Sequence, residues 1–108
     1  MALKHARPLD VIDLHASDAE RGTSASSSLL KTEHLQLMQL VLTEGHGLPE
    51  HSFPGEVTIQ CLLGEASVTT PTGSCRLAPG QLTALPRNEP HAVQAHSRAT
   101  LLVTLLRG

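Results

Sequence analysis

A chain of 108 residues is long enough for one domain with one hydrophobic core. Its formal charge of −2 draws it neither to phosphate backbones nor to anionic membranes, and its single aromatic residue, Phe53, offers no stacking platform for single-stranded nucleic acid. No apolar run reaches the roughly 18 residues of a membrane span, and Met1-Ala2-Leu3-Lys4-His5 lacks the continuous apolar segment of a secretion signal, so a cytoplasmic protein with no nucleic-acid or membrane partner is expected.

Residues 1–10 are polar and mixed, and Pro8 excludes a continuous helix. Val11-Ile12-Asp13-Leu14 reads as a short edge strand, and Ser17 to Ser28, rich in Ser, Ala, Thr and Gly, reads as a loop. Residues 1–28 are therefore expected as an N-terminal extension and residues 29–108 as the main domain. Leu29 to Leu42 admits two readings. Its Leu, Lys, Glu, Gln and Met content favours a helix, with Leu30, Leu37 and Val41 on one face. As one strand it points Leu35, Leu37 and Val41 one way and Met38, Leu40 and Leu42 the other. A strand apolar on both faces is central, or is covered by a partner subunit.

From Gly45 onward the rhythm is β, with short apolar or alternating runs between Gly/Pro turns. Val57, Ile59, Cys61 and Leu63 share one face of a strand; Ala66 to Thr70 and Cys75 to Leu77 flank a turn at Pro71-Thr72-Gly73-Ser74. Pro79-Gly80 suits the central positions of a type II turn, because Pro fixes φ and Gly accepts φ > 0. Leu82 to Leu85, His91 to Ala95 and Thr100 to Leu105 complete the set. This rhythm tips Leu29–Leu42 to strand, and many short strands without helical patterns between them predict an all-β sandwich or small barrel; a helical Leu29–Leu42 would make an α+β domain instead. Cys61 and Cys75 are expected as free thiols, since a cytosolic chain disfavours disulfides and a hairpin turning at Pro71-Thr72 sets Cys75 across from Val68, far from Cys61.

Two stretches then stand out: Gly45-x5-His51-x-Phe53 leading to Gly64, and Gly80-x5-Pro86-x-Asn88-x2-His91, with fifteen residues (65–79) between Gly64 and Gly80. They resemble the two motifs of the cupin superfamily, G-x5-H-x-H-x(3–4)-E-x6-G and G-x5-P-x-G-x2-H-x3-N, at the short spacing of small single-domain bacterial, RmlC-like members. The resemblance covers roughly residues 40–105 and implies a jelly-roll, double-stranded β-helix barrel whose two sheets close around one pocket, commonly as a homodimer. Leu29–Leu42 is then the natural candidate for the subunit boundary. In the family, two histidines and a glutamate of the first motif and one histidine of the second hold a divalent metal. Here only His51 and His91 match those positions; Phe53 stands at the second histidine, Val57 at the glutamate with Glu56 one residue early, Asn88 at the second motif's glycine and Ala95 at its asparagine. A shift of one residue turns a strand side chain to the other face, so Glu56 joins the site only if Pro54-Gly55 bulges.

Each candidate residue has a functional and a structural reading. His51 and His91 are a facing pair in the pocket, as metal ligands or hydrogen-bonding groups, or they are kept for packing. Phe53 walls a ligand or plugs the former metal cavity. Cys61 reads first as core, although a place beside His51 would make it a ligand or a reactive thiol. Gln60 has the opposite phase; His46 and His96 read mainly as solvated; Gly45, Gly64 and Gly80 belong to turns. The expected pocket is His51, Phe53, Val57, Ile59, Cys61 and His91, with His51, His91 and Glu56 as the metal candidates and Fe, Mn, Ni or Zn as the ion. Three functions remain open: a module binding a small organic molecule, with or without a weakly held metal; a metal-dependent enzyme of dioxygenase or isomerase type; and a non-catalytic dimeric structural or regulatory barrel.

Overall fold

The computed structural model describes residues 7–14 and 25–107. These residues form nine strands and no helix, so no helix is long and apolar enough to cross a membrane. The strands are β1 (Ala25–Lys31), β2 (Leu35–Leu42), β3 (Gly47–His51), β4 (Glu56–Leu63), β5 (Ala66–Thr70), β6 (Gly73–Leu77), β7 (Leu82–Leu85), β8 (His91–Ala95) and β9 (Ala99–Leu106). They make two antiparallel sheets, in the orders β1-β2-β9-β4-β7 and β3-β8-β5-β6. The all-β expectation holds, and the α+β alternative falls.

Alternation explains the core. On β4 Val57, Ile59 and Cys61 are buried while Glu56 is exposed, and on β9 Leu101 and Val103 are buried. With Leu40 and Leu42 of β2 they form the inner wall of the five-stranded sheet, and Val68, Leu77 and Val93 from the other sheet join the same cluster. Leu63 departs from the expected face. Register shifts between Cys61 and Leu63, so the extra residue turns Leu63 outward, where it is 48% exposed.

The N-terminal half differs from expectation in three ways. Leu29–Leu42 is neither a helix nor one strand: Thr32 breaks it into the antiparallel pair β1–β2. The Thr32 N–H donates to the Leu35 carbonyl at 2.7 Å and the Leu35 N–H donates to Thr32 Oγ1 at 3.0 Å, so a threonine side chain closes a turn that carries no Gly or Pro. Helix propensity loses to eight residues of pairing between β2 and β9. Secondly, Ser26, Ser27 and Ser28, expected in a loop, lie in β1. Thirdly, Val11–Leu14 forms no strand; the Gln39 side chain donates to the Leu14 carbonyl at 3.3 Å. Of the loop expected over 17–28, residues 17–24 lie outside the described residues.

The later turns follow their sequence. Gly80 has φ 89° and the Gln81 N–H donates to the Ala78 carbonyl at 3.0 Å, as a type II turn at Pro79-Gly80 requires. Both cysteines are free, with Cys75 opposite Val68 and exposed, and Cys61 fully buried. The Cys61 thiol donates to the Gly64 carbonyl at 3.2 Å, and burial, the largest influence, pushes its pKa up. Alkylation of the folded protein should therefore label Cys75 alone, as read by mass spectrometry, because a buried thiol offers little thiolate; equal labelling of Cys61 would contradict this packing.

Gly64 combines φ 75° with a position where a Cβ would lie 2.0 Å from the Arg98 carbonyl oxygen, whereas Gly45, at φ 81°, faces open space. Gly45→Ala should cost about 1 kcal/mol from backbone strain alone. Gly64→Ala adds a backbone collision and should cost roughly 1–3 kcal/mol more. Urea unfolding of the two variants measures the difference, and equal losses would be inconsistent with the close approach at Gly64.

Candidate functional site

The two motif histidines meet because β3 and β8 are neighbours. His51 and His91 are register partners in the antiparallel pair, so both side chains leave the same face. Their ring centroids are 4.4 Å apart, with the planes tilted by 54°. The register shifts between Leu48 and His51, a stretch that contains Pro49, whose missing N–H is tolerated because β3 is an edge strand.

Each ring is anchored in the same way. His51 Nδ1 lies 3.0 Å from the Pro49 carbonyl oxygen, and His91 Nδ1 lies 3.0 Å from the Glu89 carbonyl oxygen. A carbonyl only accepts, so Nδ1 carries the proton in both rings, and in the neutral ring Nε2 keeps a lone pair. His91 is buried, 4% exposed, whereas His51 is solvent-exposed.

The turn before β8 is tied to the segment after β3. Asn88 has φ 67°, the left-handed conformation that Asn tolerates better than most residues, which accounts for its standing where the motif it resembles has glycine. The Glu89 N–H donates to the Pro86 carbonyl, and the Asn88 N–H donates to the Phe53 carbonyl at 2.8 Å. Phe53 is half-buried against the core, with the Arg107 guanidinium 5.8 Å from its ring centroid. A Cβ at Gly55 would stand 1.8 Å from the Leu106 carbonyl oxygen and 2.9 Å from the Phe53 ring, so glycine there lets the chain pass between them.

Between the sheets lies a cavity of about 300 Å³. Of the expected pocket residues, His51, Phe53, Val57, Ile59 and His91 line it. Cys61 does not. It shares the face of Val57 and Ile59 but lies farther along β4, packed in the core with its thiol on the Gly64 carbonyl. Sequence reasoning missed Met38 and Leu40 of β2, Leu48 of β3, Val93 of β8, Val103 and Leu105 of β9, and Ser26 of β1. The inward phase of Met38 and Leu40 was readable, and Val93 stands two residues beyond His91 on the same face. Nothing local marked the others.

Glu56, expected with the two histidines, stays outside the cavity. It is exposed and in regular register with Leu106, with no bulge to turn it inward, and alternation places it on the face opposite Val57. Gln60 has the same outward phase and does not line the cavity. His46 is bonded through Nδ1 to the Thr43 hydroxyl and His96 through Nε2 to the Ser67 hydroxyl, and neither reaches the cavity. Among the described residues no group of three or more His, Cys, Asp or Glu side chains is arranged to hold a metal ion. Among the described residues, two imidazoles beside Phe53 and Val57 do not supply the three protein ligands that catalytic zinc sites use.

No protein-family model matches the sequence, and no curated protein does either. Solved structures do match. A cupin superfamily protein from Desulfitobacterium hafniense DCB-2 superposes with a TM-score of 0.81 at 20% identity, over the whole of both chains. A conserved protein of unknown function from Streptococcus pyogenes reaches 0.80 at 24% identity, over all of this chain and 98% of its own. An RmlC-like cupin family protein with a double-stranded β-helix fold, from Methanocaldococcus jannaschii, gives 0.77 at 22% identity over 92% of each chain. With nine strands in two antiparallel sheets and the two motif histidines paired across β3 and β8, this chain is a small protein of the cupin double-stranded β-helix fold.

Proposed function

We propose that the barrel is a binding module for a small, largely apolar organic molecule held in the His51–His91 cavity. The lining carries this reading: apart from Ser26, His51 and His91, every described side chain on the cavity is apolar. A volume of about 300 Å³ is at the lower end of small-molecule sites. A ligand of one or two rings burying about 200 Å² of apolar surface gains about 5 kcal/mol before the costs of association, which places the affinity no tighter than about 0.2 mM.

The other two functions have less support. A dioxygenase- or isomerase-type enzyme needs a metal-ligand set that the described residues do not supply. A vestigial pocket needs Phe53 to plug it, yet Phe53 stands in the wall of an open cavity.

A thermal-shift screen of small aromatic and alicyclic compounds tests the proposal, with Val103→Phe as the cavity-filled control. Wild type should gain roughly 5–10 °C at a ligand concentration near ten times Kd, and Val103→Phe, folded by circular dichroism, should gain nothing. Failure of every compound on wild type, or equal shifts in the filled variant, would overturn the proposal.

A further inference from the structure

We infer that the ligand's polar end is an uncharged hydrogen-bond donor, a hydroxyl or an N–H, received by the Nε2 atoms of His51 and His91. This rests on the proposed binding function and names the chemistry that the same cavity selects. Both Nδ1–H groups are already committed, to the carbonyls of Pro49 and Glu89. Neither Nε2 has a hydrogen-bond partner among the described residues. Nor is that atom of the buried His91 sealed in the protein: Thr100 Oγ1 is the one sealed, unpartnered side-chain polar atom among the described residues, so His91 Nε2 still meets open space.

In their neutral form the two imidazoles, fixed by their backbone partners, present two acceptors and no donor. Among the described residues the rest of the lining holds no Lys, Arg, Asp or Glu, and its one other polar side chain is Ser26 on β1. A carboxylate or phosphate would set its oxygens against lone pairs, and an ammonium would be buried without a counter-charge; both are costly in apolar surroundings. A hydroxyl or N–H on an apolar body meets an acceptor with its donor and the aliphatic wall with the remainder. An isosteric ligand lacking the donor leaves a desolvated Nε2 unpaired, which sets the discrimination.

The chain contains no Trp or Tyr, so the fluorescence of a naphthalene probe is read without interference from the protein. Titrations with 2-naphthol, 2-methoxynaphthalene and 2-naphthoate test the inference, in wild type and in His91→Phe. Binding of 2-naphthol roughly tenfold tighter than the methoxy isostere, an advantage lost in His91→Phe, is the expected result. Equal binding of the first two, or tightest binding of 2-naphthoate, overturns the donor inference and leaves the binding proposal standing. Binding of none of the three, with no hit in the thermal-shift screen, overturns both. Because His91→Phe can misfold, a second readout uses wild type alone. Long-range ¹H–¹⁵N correlation at pH ~8, above the ordinary imidazole range, should show both rings protonated on Nδ1; protonation on Nε2 in either ring overturns the inference.

Discussion

The site depends on one pairing, His51 opposite His91 across β3 and β8. Strand register puts the rings on one face, and the backbone carbonyls two residues upstream of each set their orientation. Other features converge on that arrangement. Pro49 is tolerated because β3 is an edge, Asn88 turns the chain into β8 in a left-handed conformation, and its N–H ties that turn to Phe53. A slip of one residue in β3 would carry His51 to the opposite face and dissolve the pair.

Around the histidines the barrel keeps its geometry and changes its chemistry. Phe53 and Val57 occupy the positions where the resemblance implies a histidine and a carboxylate, and both stand in the cavity wall. An aromatic ring and a branched aliphatic side chain at these positions supply neither a ligand nor a charge to compensate a cation, and they add apolar surface. The shared fold does not decide between these chemistries; the side chains on the cavity do.

What was legible in the sequence was local. Pro79-Gly80 announced its turn through fixed φ and accessible positive φ, and the β4 alternation assigned Val57, Ile59 and Cys61 to the core. The hairpin at Thr32 was not legible, because a threonine hydroxyl and one backbone bond close it without the usual turn residues. The phase of Cys61 was readable but its depth along the barrel was not, so it was placed on the cavity when it lies beyond it. Val103 and Leu105 escaped because their reaching the cavity depends on β9 lying between β2 and β4, a matter of sheet order rather than of any short stretch. Leu63 leaves the face that alternation gives it for a related reason: a register shift at the strand end reverses alternation without a sequence mark.

We propose a cavity suited to an organic molecule rather than to a resident metal ion. Elemental analysis of protein purified without chelator or affinity tag, in wild type and in His51→Ala/His91→Ala, tests it most directly. The expected result is trace metal in both, with no difference between them. Near-stoichiometric metal in wild type that disappears in the double variant would contradict the claim, because two imidazoles would then suffice to retain an ion in an otherwise apolar cavity.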